Sequence, residues 1–456
     1  MLYHLCKPIK VKWFFLVLSG YIEYDYILPR LQSKLRRSII MSMMQKLFEK
    51  ALHIEEPWYI EEIRFSEDEK KLEIKINFNR GATFHYEDPE GGISGDYKAY
   101  DTIEKRWRHL NFFEHECYLI CRTPRIKTED KKVRIIHPPW SGINGGFTML
   151  FEALLIELAS NMPIHKVALL IGESDYKIWN MLEKYIAQSR ETEDYSDIDM
   201  VGIDETSKSK NHDYISLFVD LDKRRTIFIG EGKGSQTVEA FSEDLQAHKG
   251  DVNHVKDISC DMSPAFIKGI SEQFPNAKIT FDKFHILKIL NAAVDKVRKE
   301  EVKEYNILKK TKYIFLKNRE NLTAKQRLKL EELSISKLNL KTLRAYHIRE
   351  TFQEIYKAET EKEFEYLLKK WYFWATHSRI KPIIDAAKTI KNHWDGVINW
   401  KKSLITNAVL EGLNSVIQAI KAKARGFRTF KNFKIIAYLA TGKLKFELIN
   451  PYYVRY

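Results

Sequence analysis

The sequence is poor in cysteine, glycine and proline, and it contains no long apolar run. Four cysteines among 456 residues are too few for a disulfide framework, which favours a reducing, cytoplasmic location. The 19 glycines and 12 prolines, with 44% hydrophobic residues, exclude a collagen-like or wholly disordered chain. No apolar run reaches the roughly 18–20 residues that a membrane span needs, so we expect no membrane partner.

Positive charge is concentrated at the two ends of the chain. The net charge is +13, yet residues 401–456 hold eleven basic side chains against two acidic ones, and residues 1–40 hold seven against two. The middle of the chain is therefore almost neutral. A basic block of this kind predicts a surface that binds phosphate groups, and the alternative is a solvated basic tail.

The first forty residues superficially resemble a signal peptide, because lysines precede a short apolar stretch at residues 13–18. The small residues of a cleavage site are missing, and acidic residues follow at once. A short amphipathic helix is predicted from Met41 or Met43. We therefore expect residues 1–40 to be a translated upstream extension that is not part of the fold.

Two segments with different periodicity precede the centre of the chain. Alternating polar and apolar residues predict strands at 71–78 and around 116–122, so residues 41–140 are predicted to form a small β-rich domain. Residues 147–190 have helical periodicity, interrupted at Pro163 and Gly172. This spacing is typical of a helix-turn-helix, and a plain helical linker is the alternative.

Residues 196–300 predict an α/β catalytic core. Three strands follow one another closely, and two more alternate with helices, which favours an antiparallel meander joined to parallel crossovers. This order is that of an RNase H-like mixed sheet. Residues 301–400 have only helical periodicity and predict an all-helical insertion, followed by a last core helix with a basic segment at 401–440 and a tail at 441–456.

Three carboxylates in this core could form a metal site. Asp204 and Asp261 are each predicted at the end of a strand, at the same edge of the sheet, and Glu411 lies on the last helix. Three such carboxylates can hold two Mg²⁺ or Mn²⁺ ions about 3.5–4 Å apart, which suits in-line displacement at phosphorus. Each carboxylate taken alone is more often a turn cap.

Tryptophans are concentrated in the predicted helical insertion. They could stack on a flipped or unpaired base, although packing in the core is the commoner role of this residue. These residues are Trp371, Trp374, Trp394 and Trp400.

Five short stretches, in the same order, resemble the ISL3 family of bacterial insertion-sequence transposases. They are GIDET at 202–206, DISCDMS at 257–263, FPNAKITFDKFH at 274–285, TNAVLEGLNS at 406–415 and ARGFRTF at 424–430. The resemblance covers roughly residues 41–440. It implies a DDE transposase with an RNase H-like core, in which Asp204, Asp261 and Glu411 match the catalytic, metal-binding triad.

The resemblance also implies supporting residues. Asp282 and His285 match an Asp-x-Phe-His motif at the start of a helix, where a structural cap is favoured over a direct metal role. Asn407 and Asn414 flank Glu411 and could orient it or contact phosphate. We set Glu205 aside, because adjacent strand residues point to opposite faces. We expect contacts to the DNA backbone from six basic residues. They are Arg106, Arg108, Lys421, Lys423, Arg425 and Arg428.

The sequence departs from the family in its N-terminal domain. Family members commonly carry a zinc ribbon built from two Cys-x-x-Cys pairs, and this sequence has neither pair. His115, Cys117 and Cys121 supply three ligands at most, with the wrong spacing. We therefore expect no zinc, a domain held together by apolar packing, and retained DNA binding.

The activity implied is binding of double-stranded DNA at terminal inverted repeats, cleavage, and joining to target DNA by two-metal transesterification. It implies at least a homodimer on DNA, in the cytoplasm of a bacterium and associated with the nucleoid. Three alternatives remain: a nuclease without strand transfer, an inactive or repurposed transposase that only binds DNA, and an RNA-binding module, which is disfavoured because no RNA-recognition motif is visible.

Overall fold

The structure, a computed structural model, describes residues 33–88, 92–207, 214–335, 338–403 and 408–446. The described chain forms two compact units, residues 33–154 and residues 155–446. In these ranges we find no helix that combines the length and the apolar character needed to cross a membrane.

The first unit is a helix followed by a six-stranded sheet with the order β1-β2-β5-β4-β3, in which β6 pairs with β5. The pairing of β2 with β5 is parallel, and the other pairs are antiparallel. The strands predicted at 71–78 and around 116–122 are β2 and part of β5. The elements are α1 (Ser33–Ala51), β1 (Trp58–Ser66), β2 (Lys71–Phe78), β3 (Thr83–Glu87), β4 (Ser94–Phe112), β5 (His115–Lys127) and β6 (Val133–Ile135).

Helix α1 begins earlier than the sequence predicted. It starts at Ser33 and not at Met41 or Met43, so residues 33–40 of the predicted extension are helical. Residues 1–32 lie outside the described residues. Their proposed origin as an upstream extension stays a prediction.

An apolar core holds this sheet together. Leu72, Ile74 and Ile76 alternate with more exposed residues along β2, as the polar–apolar pattern of that strand requires. Cys117 and Cys121 lie buried in β5, and burial raises the pKa of each thiol to about 12. Both are therefore neutral thiols at physiological pH and pack as small apolar side chains.

Three helices follow the first sheet: α2 (Met149–Asn161), α3 (Ile164–Ile171) and α4 (Asp175–Glu191). Pro163 immediately precedes α3, as expected of a residue that lacks an N–H group. Gly172 ends α3 with a φ of 76°, a left-handed conformation that glycine adopts without a steric penalty. The Ser174 hydroxyl caps α4 by accepting from the Lys177 N–H. The short turn of residues 172–174 lies where the sequence predicted it.

The second sheet has five strands in the order β11-β10-β7-β8-β9. Strands β7, β8 and β9 form an antiparallel meander, whereas β10 is parallel to both β7 and β11. The mixed α/β fold class predicted for this region is confirmed. The elements are β7 (Met200–Ser207), β8 (Tyr214–Asp220), β9 (Arg225–Glu231), α5 (Ser235–Ala247), β10 (Asp257–Cys260), α6 (Pro264–Gln273), β11 (Lys278–Phe281) and α7 (Lys283–Glu301).

Residues 302–403, which we call the helical segment, contain no strand in their described part. Their core is continuous with that of the sheet. Glu301, at the end of α7, caps α10 from a distance, because its carboxylate accepts from the N–H groups of Lys341 and Thr342 at 2.7 and 2.8 Å. The helices are α8 (Lys312–Leu316), α9 (Ala324–Ile335), α10 (Lys341–Ile355), α11 (Glu361–Thr376), α12 (Lys381–Asn392) and α13 (Trp394–Ser403), followed by α14 (Ala408–Ala424) and α15 (Phe430–Thr441).

Candidate active site

Strands β7 and β10 bring two of the predicted carboxylates to one level of the sheet. The two strands are parallel neighbours, with Ser259 of β10 opposite Gly202 of β7. Extending this register by two residues places Asp261 level with Asp204. Because neighbouring strands lie about 4.8 Å apart, the backbone positions of the two aspartates are direct neighbours across the strand pair.

Strand β11 adds a third carboxylate to the same row. Cys260 lies opposite Phe281, so the next residue of each strand places Asp261 beside Asp282. Asp282 is the N-cap of α7, and one of its oxygens accepts from the Phe284 N–H at 2.9 Å. Its other oxygen lies 2.9 Å from His285 Nδ1. The cap role that the sequence suggested for Asp282 is therefore present, and it also orients the His285 ring.

The other two aspartates are held by hydrogen bonds of different kinds. One oxygen of Asp204 accepts from the Glu205 N–H at 2.8 Å, and the other accepts from the side-chain amide of Asn414. One oxygen of Asp261 accepts from the Ser263 N–H at 2.9 Å, in a turn that leads into α6. The second oxygen of Asp261 accepts no hydrogen bond from any residue in the described part of the chain.

The row of carboxylates has a strong local field. Burial raises the pKa of Asp204, and repulsion from Asp282 and Asp261 acts in the same direction. The hydrogen bond with Asp282 raises the pKa of His285, and the charges of the three aspartates add to this shift. The site therefore combines partly desolvated negative charge with one histidine that can carry a positive charge.

Glu205 belongs to the same acidic neighbourhood, although the sequence argument set it aside. Burial raises the pKa of Glu205, and the charge of Asp261 is the next largest cause. Asp204 and Glu205 leave the strand on opposite faces, but the negative charge of Asp261 raises the pKa of both side chains. The sequence signal for this was the pair of consecutive carboxylates, Asp204 and Glu205, on a strand predicted to lie beside the one that ends at Asp261.

Helix α14 packs along β7 through residues spaced by one helical turn. These helix residues contact alternate residues of the strand, which share one sheet face. The Gln418 amide donates to the Thr206 hydroxyl at 2.6 Å. The three pairs are Gly202 with Leu410, Asp204 with Asn414, and Thr206 with Gln418.

Glu411 is placed by this packing, one turn before Asn414 on the same side of α14. Its side chain is exposed, and it forms no hydrogen bond or ion pair with any residue in the described part of the chain. The structure therefore brings the helix that carries Glu411 to Asp204, through Asn414. Asn407, the other predicted supporting residue, lies outside the described residues.

The donor set suits a hard divalent cation. Within the described ranges, no group of three His, Cys, Asp or Glu side chains is arranged to hold a metal ion. The chemistry nevertheless fits, because Asp204 and Asp261 repel each other and offer carboxylate oxygens. The side-chain oxygen of Asn414 is also buried beside Asp204 without a described hydrogen-bond partner.

The two arginines predicted to contact DNA in the first unit have different environments. Arg106 is part-exposed, forms an ion pair with Glu73 at 3.2 Å and lies over the Tyr118 ring. The Arg108 side chain is only 2% exposed, and its guanidinium donates to the Cys117 carbonyl and to Asn111. The guanidinium of Arg108 is thus used inside the unit, which does not favour a contact with DNA.

The four basic residues predicted to contact DNA in the second unit surround the end of α14. Arg425 and Gly426 have φ values of 56° and 93° and terminate the helix. Lys423, Arg425 and Arg428 are exposed. Lys421 is half-buried and donates to the Gln418 side chain at 3.3 Å.

Comparison with known proteins links this region to a defined family. Residues 201–437, from β7 to the last helix, match the ISL3 family profile described as transposase. The chain is 25% identical over 345 residues to the transposase for insertion sequence element IS1001 of Bordetella parapertussis, covering 74% of this chain and 84% of that relative. It is 24% identical over 361 residues to the transposase for insertion sequence element IS1557 of Mycobacterium tuberculosis, covering 71% and 79%.

Proposed function

Because this chain belongs to the ISL3 family of insertion-sequence transposases, we propose that it cuts DNA at terminal inverted repeats and joins the ends to target DNA. Asp204, Asp261 and Glu411 are the proposed catalytic carboxylates, in a core of RNase H-like type. The observation that carries the proposal is the row of aspartates on adjacent parallel strands, with α14 hydrogen-bonded to its first member.

The sheet order supports the RNase H-like assignment. A three-strand antiparallel meander whose first strand, β7, pairs in parallel with β10, which pairs in parallel with β11, agrees with the order of a meander and crossovers that the sequence predicted. The helical segment is inserted between α7 and α14, so 150 residues separate Asp261 from Glu411 along the chain, while α14 contacts β7 through Asn414. The proposed triad thus comes from three elements, with Asp204 on β7, Asp261 directly after β10 and Glu411 on α14.

The residues have distinct roles in the proposed reaction. Asp204, Asp261 and Glu411 would hold two Mg²⁺ or Mn²⁺ ions, which when bound lower the pKa of a water and stabilise the leaving oxygen at phosphorus. Asn414 holds Asp204 in place, and Asp282 orients His285 at the edge of the site. Hydrolysis frees a 3′-hydroxyl, which the same carboxylates position against target DNA.

DNA binding is proposed for three regions. Lys421, Lys423, Arg425 and Arg428 lie on or just beyond α14 and would contact the phosphate backbone near the site. Helices α3 and α4 would act as a helix-turn-helix, and the β-rich first unit would assist them in binding the terminal repeats. Cutting and joining two ends requires at least two copies of the chain on DNA, in the nucleoid of a bacterial cytoplasm.

The test is cleavage of labelled DNA that carries the terminal repeats, with Mg²⁺, by the wild type, Asp261→Asn and Asp385→Asn. Asp385 is an exposed aspartate on α12, far along the chain from the proposed site, and serves as the matched control. We expect cleavage by the wild type and by the control, and a loss of at least about 100-fold in Asp261→Asn with DNA binding retained.

Two outcomes would contradict the proposal. If Asp261→Asn cleaves the repeat ends as well as the wild type does, Asp261 is not part of the catalytic site. Repeat binding without cleavage or joining by the wild type, with both ends and Mg²⁺ or Mn²⁺ supplied, would support the alternative of an inactive transposase that acts only as a DNA-binding protein.

A further inference from the structure

The helical segment has an open cleft of about 680 Å³ between α10 and the end of α11. This volume lies in the range of roughly 300–1,000 Å³ that is typical of small-molecule sites. Residues of α10 spaced by three or four positions form one wall, and the end of α11 with the turn beyond it forms the other. The lining residues are Arg344, His347, Ile348, Thr351, Trp374, His377, Ser378 and Arg379.

One tryptophan of the helical segment is not explained by packing. Trp371 is 1% exposed and donates to the Ile348 carbonyl at 2.8 Å, and Trp394 and Trp400 pack against the core. Trp374, one turn after Trp371, is 42% exposed and lines the cleft. Trp374 therefore presents an indole surface to the cleft that a flat ring could cover.

The cleft is positively charged. Arg344 and Arg379 are exposed and form no ion pair with any described residue, and no acidic side chain lines the cleft. Arg349, on the same helix as Arg344, shows the contrast, because it is buried and paired with Glu350. Two unpaired guanidinium groups beside an exposed indole are complementary to a group that has both a flat ring and a phosphate.

We propose that this cleft binds one unpaired nucleotide of the DNA substrate, with its base against Trp374 and its phosphate on Arg344 and Arg379. The base must be unpaired, because the ring face of a base inside a duplex is covered by its neighbours. This inference rests on the proposed function only in taking DNA as the substrate. It adds a binding site on residues outside the proposed triad.

The test compares binding of two duplexes by the full-length protein without added metal. One duplex carries a single extrahelical 2-aminopurine, and the other is fully paired. We expect the wild type to quench the extrahelical fluorophore and to prefer that duplex by about tenfold, since base–aromatic stacking contributes about 5- to 150-fold to an affinity. Trp374→Ala removes both effects, and Trp374→Phe restores part of them.

Matched controls separate the cleft from general effects of charge and surface. Tyr366→Ala removes another exposed aromatic residue of α11, and Lys388→Ala removes an exposed charge of α12. Both controls should keep the preference for the extrahelical base. Arg344→Ala and Arg379→Ala should each weaken binding and reduce the salt dependence by about one phosphate contact.

The outcomes distinguish this proposal from the proposed catalytic function. A preference that survives in Trp374→Ala, or that is lost equally in Tyr366→Ala, overturns the cleft proposal even if repeat ends are cleaved. A preference that depends on Trp374 supports it even if cleavage fails. A wild type that binds neither duplex overturns both proposals.

Discussion

Replacing Gly202 with alanine tests the packing of α14 on β7. An ideal Cβ at this position would lie 2.9 Å from both methyl carbons of Leu410 and 2.9 Å from a methyl carbon of Leu221. The favourable separation of two carbon atoms is about 3.5–4.0 Å, so buried side chains, or α14 itself, must move by about 0.6 Å or more.

The expected loss of stability is modest and can be worked out from two opposing effects. Overpacking of a core costs about 1–3 kcal/mol, whereas exchanging glycine for alanine recovers about 0.4–1 kcal/mol from the unfolded chain. The difference spans about 0–2.6 kcal/mol, so we expect Gly202→Ala to lower the free energy of unfolding by about 1 kcal/mol. Cleavage of repeat ends should also fall, because Glu411 follows the displaced Leu410.

A double-mutant cycle assigns this loss to the contact. Leu410 is buried, so Leu410→Ala alone should cost about 2–5 kcal/mol. It also removes the methyl groups that crowd the new Cβ, so the double variant should be more stable than the sum of the single effects predicts, by about 1 kcal/mol. Urea titrations of the four proteins measure these energies. Additivity within about 0.5 kcal/mol would refute the described packing.

Three further predictions concern single contacts. Gln418→Ala breaks the hydrogen bond to Thr206 and should cost about 1 kcal/mol of stability in the same urea titration. Because this contact holds α14 on β7, the variant should lose more cleavage activity than DNA binding. An equal fall in cleavage and in DNA binding would contradict this prediction. Cys117 and Cys121 should stay unmodified by a thiol reagent at pH 8 until denaturant is added, as peptide mass spectrometry will show, because burial raises the pKa of each to about 12. Glu301→Ala removes the remote cap of α10 and should lower the free energy of unfolding by about 1–2 kcal/mol, whereas an unchanged thermal melt would show that the cap contributes nothing.

Local sequence pattern was sufficient to predict the five strands of the second sheet and the neighbouring positions of two aspartates, whereas in the first sheet it predicted only β2 and part of β5. The order of strands follows from their spacing, since short connections allow a meander and helical connections require parallel crossovers. Once β7 and β10 are neighbours, Asp204 and Asp261 come to the same level of the sheet, although β7 continues to Ser207 and Asp204 does not end it as predicted. These features depend on periodicity over a few residues, which the sequence shows directly.

Contacts between distant segments could not be predicted in this way. Asn414 was expected to orient Glu411 or contact phosphate, and the structure shows its amide on Asp204, which is 210 residues away along the chain. Trp371 and Trp374 lie one turn apart on α11, yet the first is buried and donates to the Ile348 carbonyl of α10 whereas the second is 42% exposed. Such choices depend on how helices are placed in space.

Helix α14, which carries the proposed third carboxylate, is synthesised long after the strands that carry the two aspartates. The ribosome adds about 5–20 residues per second, so about 8–30 seconds separate Asp261 from Glu411, which follows it by 150 residues. A nascent chain that already contains the β-rich unit and both aspartates still lacks the third carboxylate and the basic end of α14. A prematurely released chain would therefore carry the proposed helix-turn-helix without the proposed means to cut, and if that part binds the repeats by itself it would compete with the complete protein for the same DNA ends.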